Sequence, residues 1–434
     1  MKSQTNLHLN WTNNTKIETN IIKPKNLDSL KKAIDKKKYI AAGNQRSYGD
    51  MAISKHNIIS MKKFNKILKF DERKGVIEVQ SGVLLIDILK KIIDKGWFFP
   101  VTPGTKYVSI GGMIANNIHG KNTRKNQIKH FLQDFEIVLE NKKIIKCSKN
   151  QNKKIFDLTV GGFGLTGIII SAKIKLKKIS SSYISQKIEK FNNYDQLFLH
   201  LKKIRKYDYY VSWVRSFDIN TIKGLSYFGD HNEKNKIKTI KFNDKKLSIF
   251  HFLFLKLFSQ NYYGMKILNY FYMFIKGNFY KNETSLNYFF YPQDNFTDWN
   301  KIYGKNGFIE IQFLVNKKKF KNIMGEISNF LKNNRIFSPL IVIKNLNEKG
   351  SYLNFCGNGI SVSMDVPIDK KFKLIEAFFN NLFIKYKCNL NLAKDSITKS
   401  NFFKKNRNYE KFKKDLESLK RKKISSIFST RLQI

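Results

Sequence analysis

The sequence is poor in cysteine, proline and glycine, and each scarcity excludes a class of protein. Three cysteines in 434 residues exclude a disulfide scaffold. Six prolines and 23 glycines exclude a collagen-like or low-complexity chain. Frequent Ile, Phe, Tyr and Leu exclude intrinsic disorder. The length therefore predicts a large hydrophobic core and two domains.

Acidic residues and arginine are also scarce. The chain has 81 Lys+Arg against 33 Asp+Glu, a net charge of +48, and only nine of the basic residues are Arg. Nucleic-acid-binding proteins concentrate charge in patches and use Arg for bidentate contacts, whereas here Lys is spread along the chain. A basic nucleic-acid-binding protein is therefore the weakest alternative, and we expect no nucleic-acid partner. The positive field should still attract anions or an anionic membrane face.

No targeting or membrane-spanning segment is predicted. Met1–Asn20 is polar and does not read as a signal peptide. The most apolar stretch, Leu247–Tyr280, is interrupted by Lys256 and Lys266, which excludes a spanning helix. It is either a buried helix pair, which the pattern favours, or a segment lying on a membrane surface. We expect a protein that is cytoplasmic or peripheral at the inner membrane.

The elements of the first 180 residues are short strands and helices in mixed order. Val76–Gln80 alternates like a strand, and Leu84–Lys95 has helical spacing and ends at Gly96. The middle of the chain is richer in aromatic residues and longer helical patterns. Further predicted elements are a hairpin over 135–146, strands at 167–177, 308–315 and 362–366, helices at 317–333 and 370–386, and a helical tail. The three cysteines (Cys147, Cys356, Cys388) have no metal-ligand spacing, so no metal is expected.

Three glycine clusters stand out in this glycine-poor chain, at 43–50, 102–122 and 160–169. A turn bounded by Gly43 and Gly49 leaves backbone N–H groups free to point at an anion such as a pyrophosphate. Gly111 and Gly112 allow the backbone to approach a flat ligand closely. No cluster is a GxGxxG between a strand and a helix, so a Rossmann dinucleotide site is not predicted.

In order and spacing these clusters resemble the FAD-binding domain of the vanillyl-alcohol oxidase/p-cresol methylhydroxylase superfamily. Within it the chain is most similar to the decaprenylphosphoryl-β-D-ribose oxidases. The resemblance is carried by Gly-Asn-Gln-Arg-Ser-Tyr-Gly-Asp (43–50), Pro-Gly-Thr (103–105), Ile-Gly-Gly-Met-Ile-Ala (110–115), Ile-His-Gly-Lys-Asn (118–122), Thr-Val-Gly-Gly-Phe-Gly-Leu-Thr-Gly-Ile-Ile (159–169) and Ala-Lys-Asp-Ser (393–396).

The resemblance implies an α+β, two-domain FAD-binding PCMH-type fold. Its FAD-binding domain would span 1–182, an antiparallel-sheet substrate domain 183–387, and a return to the FAD domain 388–434. The implied reaction is oxidation of the ribose 2′-hydroxyl of a polyprenylphosphoryl-β-D-ribose to the 2′-keto sugar, the first half of epimerisation to the arabinose form in cell-wall polysaccharide biosynthesis. The implied partners are this lipid-phosphate sugar, an NADH-dependent short-chain reductase that acts on the keto product, and a membrane surface touched peripherally.

The resemblance also implies roles for individual residues. Lys394 would act as base or proton relay, with Tyr48 and His119 beside the flavin. Without the motifs, these would read as a solvated Lys, a core Tyr and a satisfied buried His. The implied substrate contacts are Lys121, Gln312, Ser363 and Lys394. The implied cofactor contacts are Gly43, Asn44, Gln45, Arg46, Ser47, Tyr48, Gly49, Thr105, Gly111, Gly112, Ala115, Asn116, His119, Gly120, Gly164, Gly167 and Ile168.

Some positions depart from the family pattern. Related oxidases that bind flavin covalently carry a His in the cluster at 43–50, which is absent here, so non-covalent FAD is expected. The family's pocket Cys corresponds to Ser363, its Tyr two residues before Ala-Lys to Asn391, and its Arg after Ala-Lys-Asp-Ser to Ile397. These differences leave open another polyprenyl sugar, and a sugar-lactone or alditol oxidase of the same superfamily stays as the alternative.

Overall fold

A computed structural model describes residues 5–35, 38–232, 242, 262–295, 299–350, 352–403 and 406–434. This part of the chain forms four β-sheets with helices packed around them, which confirms the predicted α+β class. Its helices are Leu27–Ile34, Leu85–Ile92, Ile110–Ala115, Lys153–Thr159, Tyr194–Lys203, Tyr262–Asn278, Leu286–Phe290, Lys317–Asn333, Phe372–Tyr386, Arg407–Glu417 and Ile427–Leu432.

The first sheet combines strands from the N-terminal part of the chain in the order β1-β2-β4-β3. The β2–β4 and β3–β4 pairs are parallel. The C-terminal segment returns to this sheet, because the Tyr39 N–H donates to the Lys423 carbonyl at 2.8 Å and the Ser425 N–H donates to the Tyr39 carbonyl at 2.8 Å. The strands are β1 (Thr5–Leu9), β2 (Lys16–Ile22), β3 (Tyr39–Ala42) and β4 (Asn57–Ser60).

A five-stranded antiparallel sheet follows in the order β5-β6-β10-β8-β9. It confirms the predicted strand over 76–80 and the hairpin over 135–146. The predicted helix end is also confirmed, since Gly96 has a φ of 76° after a final 3₁₀ turn. The strands are β5 (Ile67–Asp71), β6 (Val76–Gln80), β8 (Leu132–Val138), β9 (Ile144–Ser148) and β10 (Ile168–Lys175), with β7 (Trp97–Phe98) and β11 (Lys177–Lys178) paired separately.

The third large sheet, called here the substrate sheet, has eight antiparallel strands in the order β15-β12-β14-β13-β17-β18-β16-β19. The helices Lys317–Asn333 and Phe372–Tyr386 pack their apolar residues against it as part of the largest core cluster. The strands are β12 (Tyr183–Phe191), β13 (Tyr209–Phe217), β14 (Ile222–His231), β15 (Glu283–Ser285), β16 (Phe308–Val315), β17 (Ile341–Glu348), β18 (Gly357–Pro367) and β19 (Asn389–Leu390).

The prediction of a buried helix pair over 247–280 is wrong for the part that the structure describes. Tyr262–Asn278 is one helix with many apolar side chains exposed, while 247–261 lies outside the described residues. The hydrophobicity of a segment indicates that its side chains favour burial, but it does not show whether another part of the chain covers them. Among the described helices, none combines the length and the hydropathy that crossing a membrane requires. The expected domain boundaries at 182 and 387 stay a prediction.

Candidate active site

The site is a cavity of about 1310 Å³ between the N-terminal glycine clusters and the substrate sheet. Single drug-sized ligands occupy pockets of about 300–1,000 Å³, so this volume can hold a cofactor together with a second molecule. Its wall combines the turn after β3, the helix Ile110–Ala115, the start of β10 and one face of β16, β17 and β18. All three glycine clusters therefore meet at one cavity, as the sequence predicts.

The turn after β3 has the geometry of an anion-binding nest. Gln45 has a φ of 52°, in the left-handed region, which aims successive N–H groups to one side. Within the described part of the chain, no acceptor receives the backbone N–H groups of Asn44, Gln45 or Ser47. The turn is held from outside, because the Asn44 Nδ2 donates to the Tyr107 carbonyl at 2.7 Å and the Arg46 guanidinium stacks on Trp11 at 3.7 Å.

The glycines of the first two clusters fit closely together. A Cβ on Gly43 would lie 1.8 Å from the Ser109 Oγ, and a Cβ on Gly111 would lie 2.9 Å from the Ser81 Cβ. Ser109 caps the helix Ile110–Ala115 by accepting from the Gly112 N–H. Side chains at Gly43 or Gly111 would therefore displace the helix that lines the cavity.

Buried polar atoms without partners support a bound cofactor. The Asn116 Oδ1, the His119 Nδ1 and the Ser81 Oγ are buried with no hydrogen-bond partner in the described structure, and all three residues line the cavity. Buried polar groups are normally satisfied, so such a cluster indicates a missing ligand. The residues present therefore fit FAD, and the turn at 43–48 could hold its pyrophosphate.

The structure brings nearly all of the predicted site residues together and excludes two. Gly49 and Gly120 do not line the cavity. A Cβ on Gly49 would meet the Asp395 carbonyl at 2.5 Å, and one on Gly120 would meet the Thr102 carbonyl at 2.9 Å, so these glycines allow close backbone packing instead. The predicted residues that do line the cavity are Gly43, Asn44, Gln45, Arg46, Ser47, Tyr48, Thr105, Gly111, Gly112, Ala115, Asn116, His119, Lys121, Gly164, Gly167, Ile168, Gln312, Ser363 and Lys394.

A connected amide network holds His119. The Gln312 Nε2 lies 3.3 Å from the His119 Nε2, and the Asn391 Nδ2 donates to the Gln312 Oε1 at 2.7 Å and lies 3.4 Å from the same ring nitrogen. Burial and the nearby lysines hold the pKa of His119 well below its usual value, so the ring is neutral at pH 7. Asn391, in place of the family's Tyr, thus keeps a polar role by orienting Gln312.

Lys394 is paired with a buried carboxylate that we did not predict. The Lys394 Nζ and the Ser363 Oγ both donate to the Glu310 Oε1. Glu310 is almost fully buried, whereas the Lys394 side chain is 27% exposed. The ammonium also lies 5.5 Å from the centre of the Tyr48 ring. Lys394 therefore stands between the predicted flavin side of the cavity and an internal proton acceptor.

Asp365 completes a carboxyl pair with Glu310 across β16 and β18, where the two residues are register partners. Burial and the Glu310 charge raise the pKa of Asp365 well above its usual value. The Tyr303 hydroxyl donates to the Asp365 Oδ2 at 2.7 Å, and burial raises the pKa of this phenol too. Asp365 therefore carries the proton of the pair.

Two further lysines, Lys121 and Lys344, also line the cavity. The Lys121 Nζ donates to the Phe290 carbonyl at 3.0 Å, and the Lys344 Nζ donates to the Gly120 carbonyl at 3.2 Å. Burial first, and then the neighbouring lysine charge, lowers the pKa of each ammonium to about 7. No carboxylate bridges either ammonium in the described structure, so both are available to an anionic ligand.

Glu310 and Asp365 escaped the sequence analysis as site residues, although a signal was present. The strand over 308–315 is otherwise apolar, yet its Glu310 and Gln312 lie two residues apart and so share one face. Ser361, Ser363 and Asp365 repeat this spacing on the neighbouring β18. Polar residues at period two in buried strands indicate a polar cavity face rather than solvent.

Comparisons with known proteins agree with this geometry. Residues 20–148 match the model of an FAD-binding domain. The chain is 27% identical over 386 residues, 84% of this chain and 82% of the relative, to decaprenylphosphoryl-beta-D-ribose oxidase of Mycolicibacterium smegmatis. It is 24% identical to mitochondrial L-galactono-1,4-lactone dehydrogenase of Arabidopsis thaliana over 53% of this chain and 39% of that protein. A D-lactate dehydrogenase of Anaerostipes hadrus is 31% identical over 32% of this chain and 30% of its own length.

The chain is an FAD-dependent oxidoreductase. The matched residues 20–148 include the nest at 43–48 and the helix Ile110–Ala115, so the cofactor prediction drawn from the glycine clusters is confirmed. The resemblance to the decaprenylphosphoryl-ribose oxidases is likewise confirmed, because the similarity extends over both the FAD-binding region and the substrate sheet. The individual roles of the site residues remain predictions.

Proposed function

We propose that this flavoenzyme oxidises the ribose 2′-hydroxyl of a polyprenylphosphoryl-β-D-ribose to the 2′-keto sugar. The observation that carries the proposal is the composition of the cavity. Lys121, Lys344 and Lys394 all line it, and the Lys344 charge lowers the pKa of Lys121 as the Lys394 charge lowers that of Lys344. Apolar residues such as Val342 and Leu340 line the same cavity. A lipid phosphodiester sugar has this combination of an anionic centre and a hydrocarbon tail.

Different cavity residues would bind the phosphodiester and the sugar. We assign Lys121 and Lys344 to the phosphodiester, since each ammonium is buried and forms no salt bridge with a carboxylate of the described residues. His119 is held neutral by burial and is oriented by Gln312 and Asn391, so it can accept or donate a hydrogen bond to a sugar hydroxyl. These contacts fix which carbinol carbon faces the flavin side.

The chemistry requires transfer of a hydride and removal of the hydroxyl proton. Bound FAD supplies the hydride acceptor. Lys394 takes the proton of the 2′-hydroxyl while it passes one of its own to Glu310, with which it is already hydrogen-bonded. The ammonium thereby stays positive beside the oxygen as its C–O bond gains double-bond character. Ser363 holds the Glu310 carboxylate in place.

The same proposal assigns partners and a location. The keto sugar requires a second, hydride-donating enzyme to become the arabinose epimer, which we take to be a separate NADH-dependent short-chain reductase. A polyprenyl substrate resides in a bilayer, so the enzyme works in peripheral contact with a membrane, at the cytoplasmic face of the inner membrane. The net charge of +48 favours an anionic face of this kind.

An anaerobic reduction assay tests this function. The purified FAD-loaded chain is mixed with a short-chain prenylphosphoryl-β-D-ribose, with L-galactono-1,4-lactone or with D-lactate, and loss of the flavin absorbance is followed. We expect reduction by the ribose phosphodiester alone. Reduction by the lactone and not by the phosphodiester would instead establish the sugar-lactone alternative, which the similarity to L-galactono-1,4-lactone dehydrogenase over 53% of the chain keeps in view.

A further inference from the structure

The helix Tyr262–Asn278 has three sides with different surroundings. One side packs on the substrate sheet, where Gly277 lies against Lys190 and Leu225 and Met273 packs on the small core cluster around Leu225. The Asn278 side chain accepts a hydrogen bond from Lys190 at 2.6 Å. The helix is therefore fixed to the fold along this side.

A second side closes the far end of the active-site cavity. Met265, Leu268 and Tyr272 line the cavity wall. The Tyr272 ring contacts Trp213 edge-on at a centroid distance of 4.8 Å, and its hydroxyl lies 3.0 Å from the Tyr227 hydroxyl. Because Trp213 also lines the cavity, this side of the helix forms part of the apolar wall of the cavity.

The third side faces outward and is apolar. Exposed fractions reach 50% at Ile267, 55% at Phe271 and 52% at Phe274. Residues three, four and seven apart share a face of a helix, so these side chains form one continuous patch. Tyr263, Tyr270 and Ile275 extend it. Such a patch on a soluble surface indicates contact with another molecule or a membrane.

The charged residues of the helix are both lysines, and one of them, Lys276, also lines the cavity. Its sequence contains Lys266 and Lys276 and no acidic residue, and Lys281 follows shortly after it. The two lysines exclude a position in which the helix spans the hydrocarbon core. A helix that lies in the headgroup region keeps its lysines in water and inserts its apolar and aromatic side chains at the boundary of the acyl chains. Lysines there also attract anionic lipid headgroups.

We propose that the outward face of Tyr262–Asn278 docks on an anionic phospholipid bilayer, and that its cavity-lining side is the entrance for the hydrocarbon tail of the substrate. The tail part rests on the proposed function, whereas bilayer docking does not. The two sides meet between Leu268, which lines the cavity, and Ile275, which is exposed. A tail can therefore leave the bilayer and enter the cavity without crossing water.

Vesicle co-sedimentation of the full FAD-loaded chain tests the docking. We compare vesicles of phosphatidylcholine alone with vesicles that also contain phosphatidylglycerol. The variant Ile267→Gln/Phe274→Gln removes two side chains of the patch. The matched control Leu199→Gln/Ile384→Gln removes two equally exposed apolar side chains from other helices. FAD content and thermal melting verify that each variant is folded.

We expect the wild type and the control to bind the anionic vesicles, and the patch variant to bind at least tenfold more weakly. Equal binding of all three proteins, or equal binding to both vesicle types, would overturn the proposal. Sedimentation velocity tests whether the patch instead binds a second copy of the chain. If the wild type binds no vesicles but forms a dimer that the patch variant loses, the patch is a dimer interface. Vesicle binding without turnover of any prenylphosphoryl ribose would reject the proposed function and leave the docking intact.

Discussion

At the scale of single residues, the most informative position is Glu310. Its carboxylate receives hydrogen bonds from Lys394 and Ser363 and is the register partner of the protonated Asp365. A buried acid next to a lysine has a structural use, since it neutralises the ammonium. Its hydrogen bond from Lys394 would also allow it to accept the proton in the proposed relay.

We therefore expect Glu310→Gln to slow flavin reduction by about 10² to 10⁴-fold, the usual contribution of general acid–base catalysis. Substrate KM should change little, because the phosphodiester contacts Lys121 and Lys344. Stopped-flow flavin reduction by prenylphosphoryl ribose measures both. Glu326→Gln is the matched control, since it removes a glutamate paired with Lys385 on the surface at 2.7 Å. A loss of the same size in both variants, or normal reduction in Glu310→Gln, would contradict the relay.

The two cavity lysines make substrate binding depend on pH. Burial lowers the pKa of each to about 7, with a further contribution from the Lys344 charge at Lys121 and from the Lys394 charge at Lys344. Both ammonium groups thus lose charge as the pH rises through about 7, while a phosphodiester keeps its charge. We expect kcat/KM to fall on the alkaline side through weaker substrate binding, so KM rises and kcat changes less.

The variant Lys344→Met checks which charge is responsible. It removes the lysine whose charge lowers the pKa of Lys121, so the alkaline fall should move to higher pH while KM rises at every pH. The same profile for a neutral sugar substrate serves as the control and should lack this limb. An unchanged limb in Lys344→Met would show that another group titrates.

At the scale of elements, the sequence specified the regular pieces whose signals are local. Alternation of apolar and polar residues was enough to predict the strand β6. A glycine, which readily adopts the left-handed conformation, was enough to predict the end of the following helix at Gly96. The parallel pairing of β2, β4 and β3 was not predictable, because it joins residues far apart through hydrogen bonds that leave no local pattern. The predicted strand at 362–366 is really β18, Gly357–Pro367, and its burial on both faces hides part of the alternation.

The helix Tyr262–Asn278 shows a different limit of sequence reasoning. The helix has apolar side chains on all of its sides, because it packs on the sheet, lines the cavity and has an apolar outward face. A helix that is apolar on every side reads as buried, so the periodicity that normally reveals a surface is absent. The site itself was largely predictable from glycine spacing, whereas the Glu310–Lys394 pair needed the register of β16.

At the scale of the whole molecule, the cofactor cavity joins elements that are distant in the chain. The C-terminal helix Ile427–Leu432 reaches this region through Arg431, which pairs with Asp50 and Asp395 at 2.9 Å. Asp395 directly follows Lys394, and Asp50 directly follows the glycine turn. We therefore expect cofactor binding to stabilise the N-terminal turn, the segment of Lys394 and the C-terminal helix together, and FAD release to destabilise all three.

Non-covalent attachment makes this coupling measurable. The turn at 43–50 contains no His, and His8, whose Nε2 lies 2.8 Å from the Gln45 Nε2, does not line the cavity. We expect acid precipitation to leave a colourless pellet and all of the FAD in solution. Apoprotein prepared more gently should become more stable as FAD is added, and its free energy of unfolding should rise by about 2.7 kcal/mol at a hundredfold excess over Kd. A yellow pellet that turns colourless in His119→Asn would instead identify a covalent bond to the one histidine that lines the cavity within the described residues.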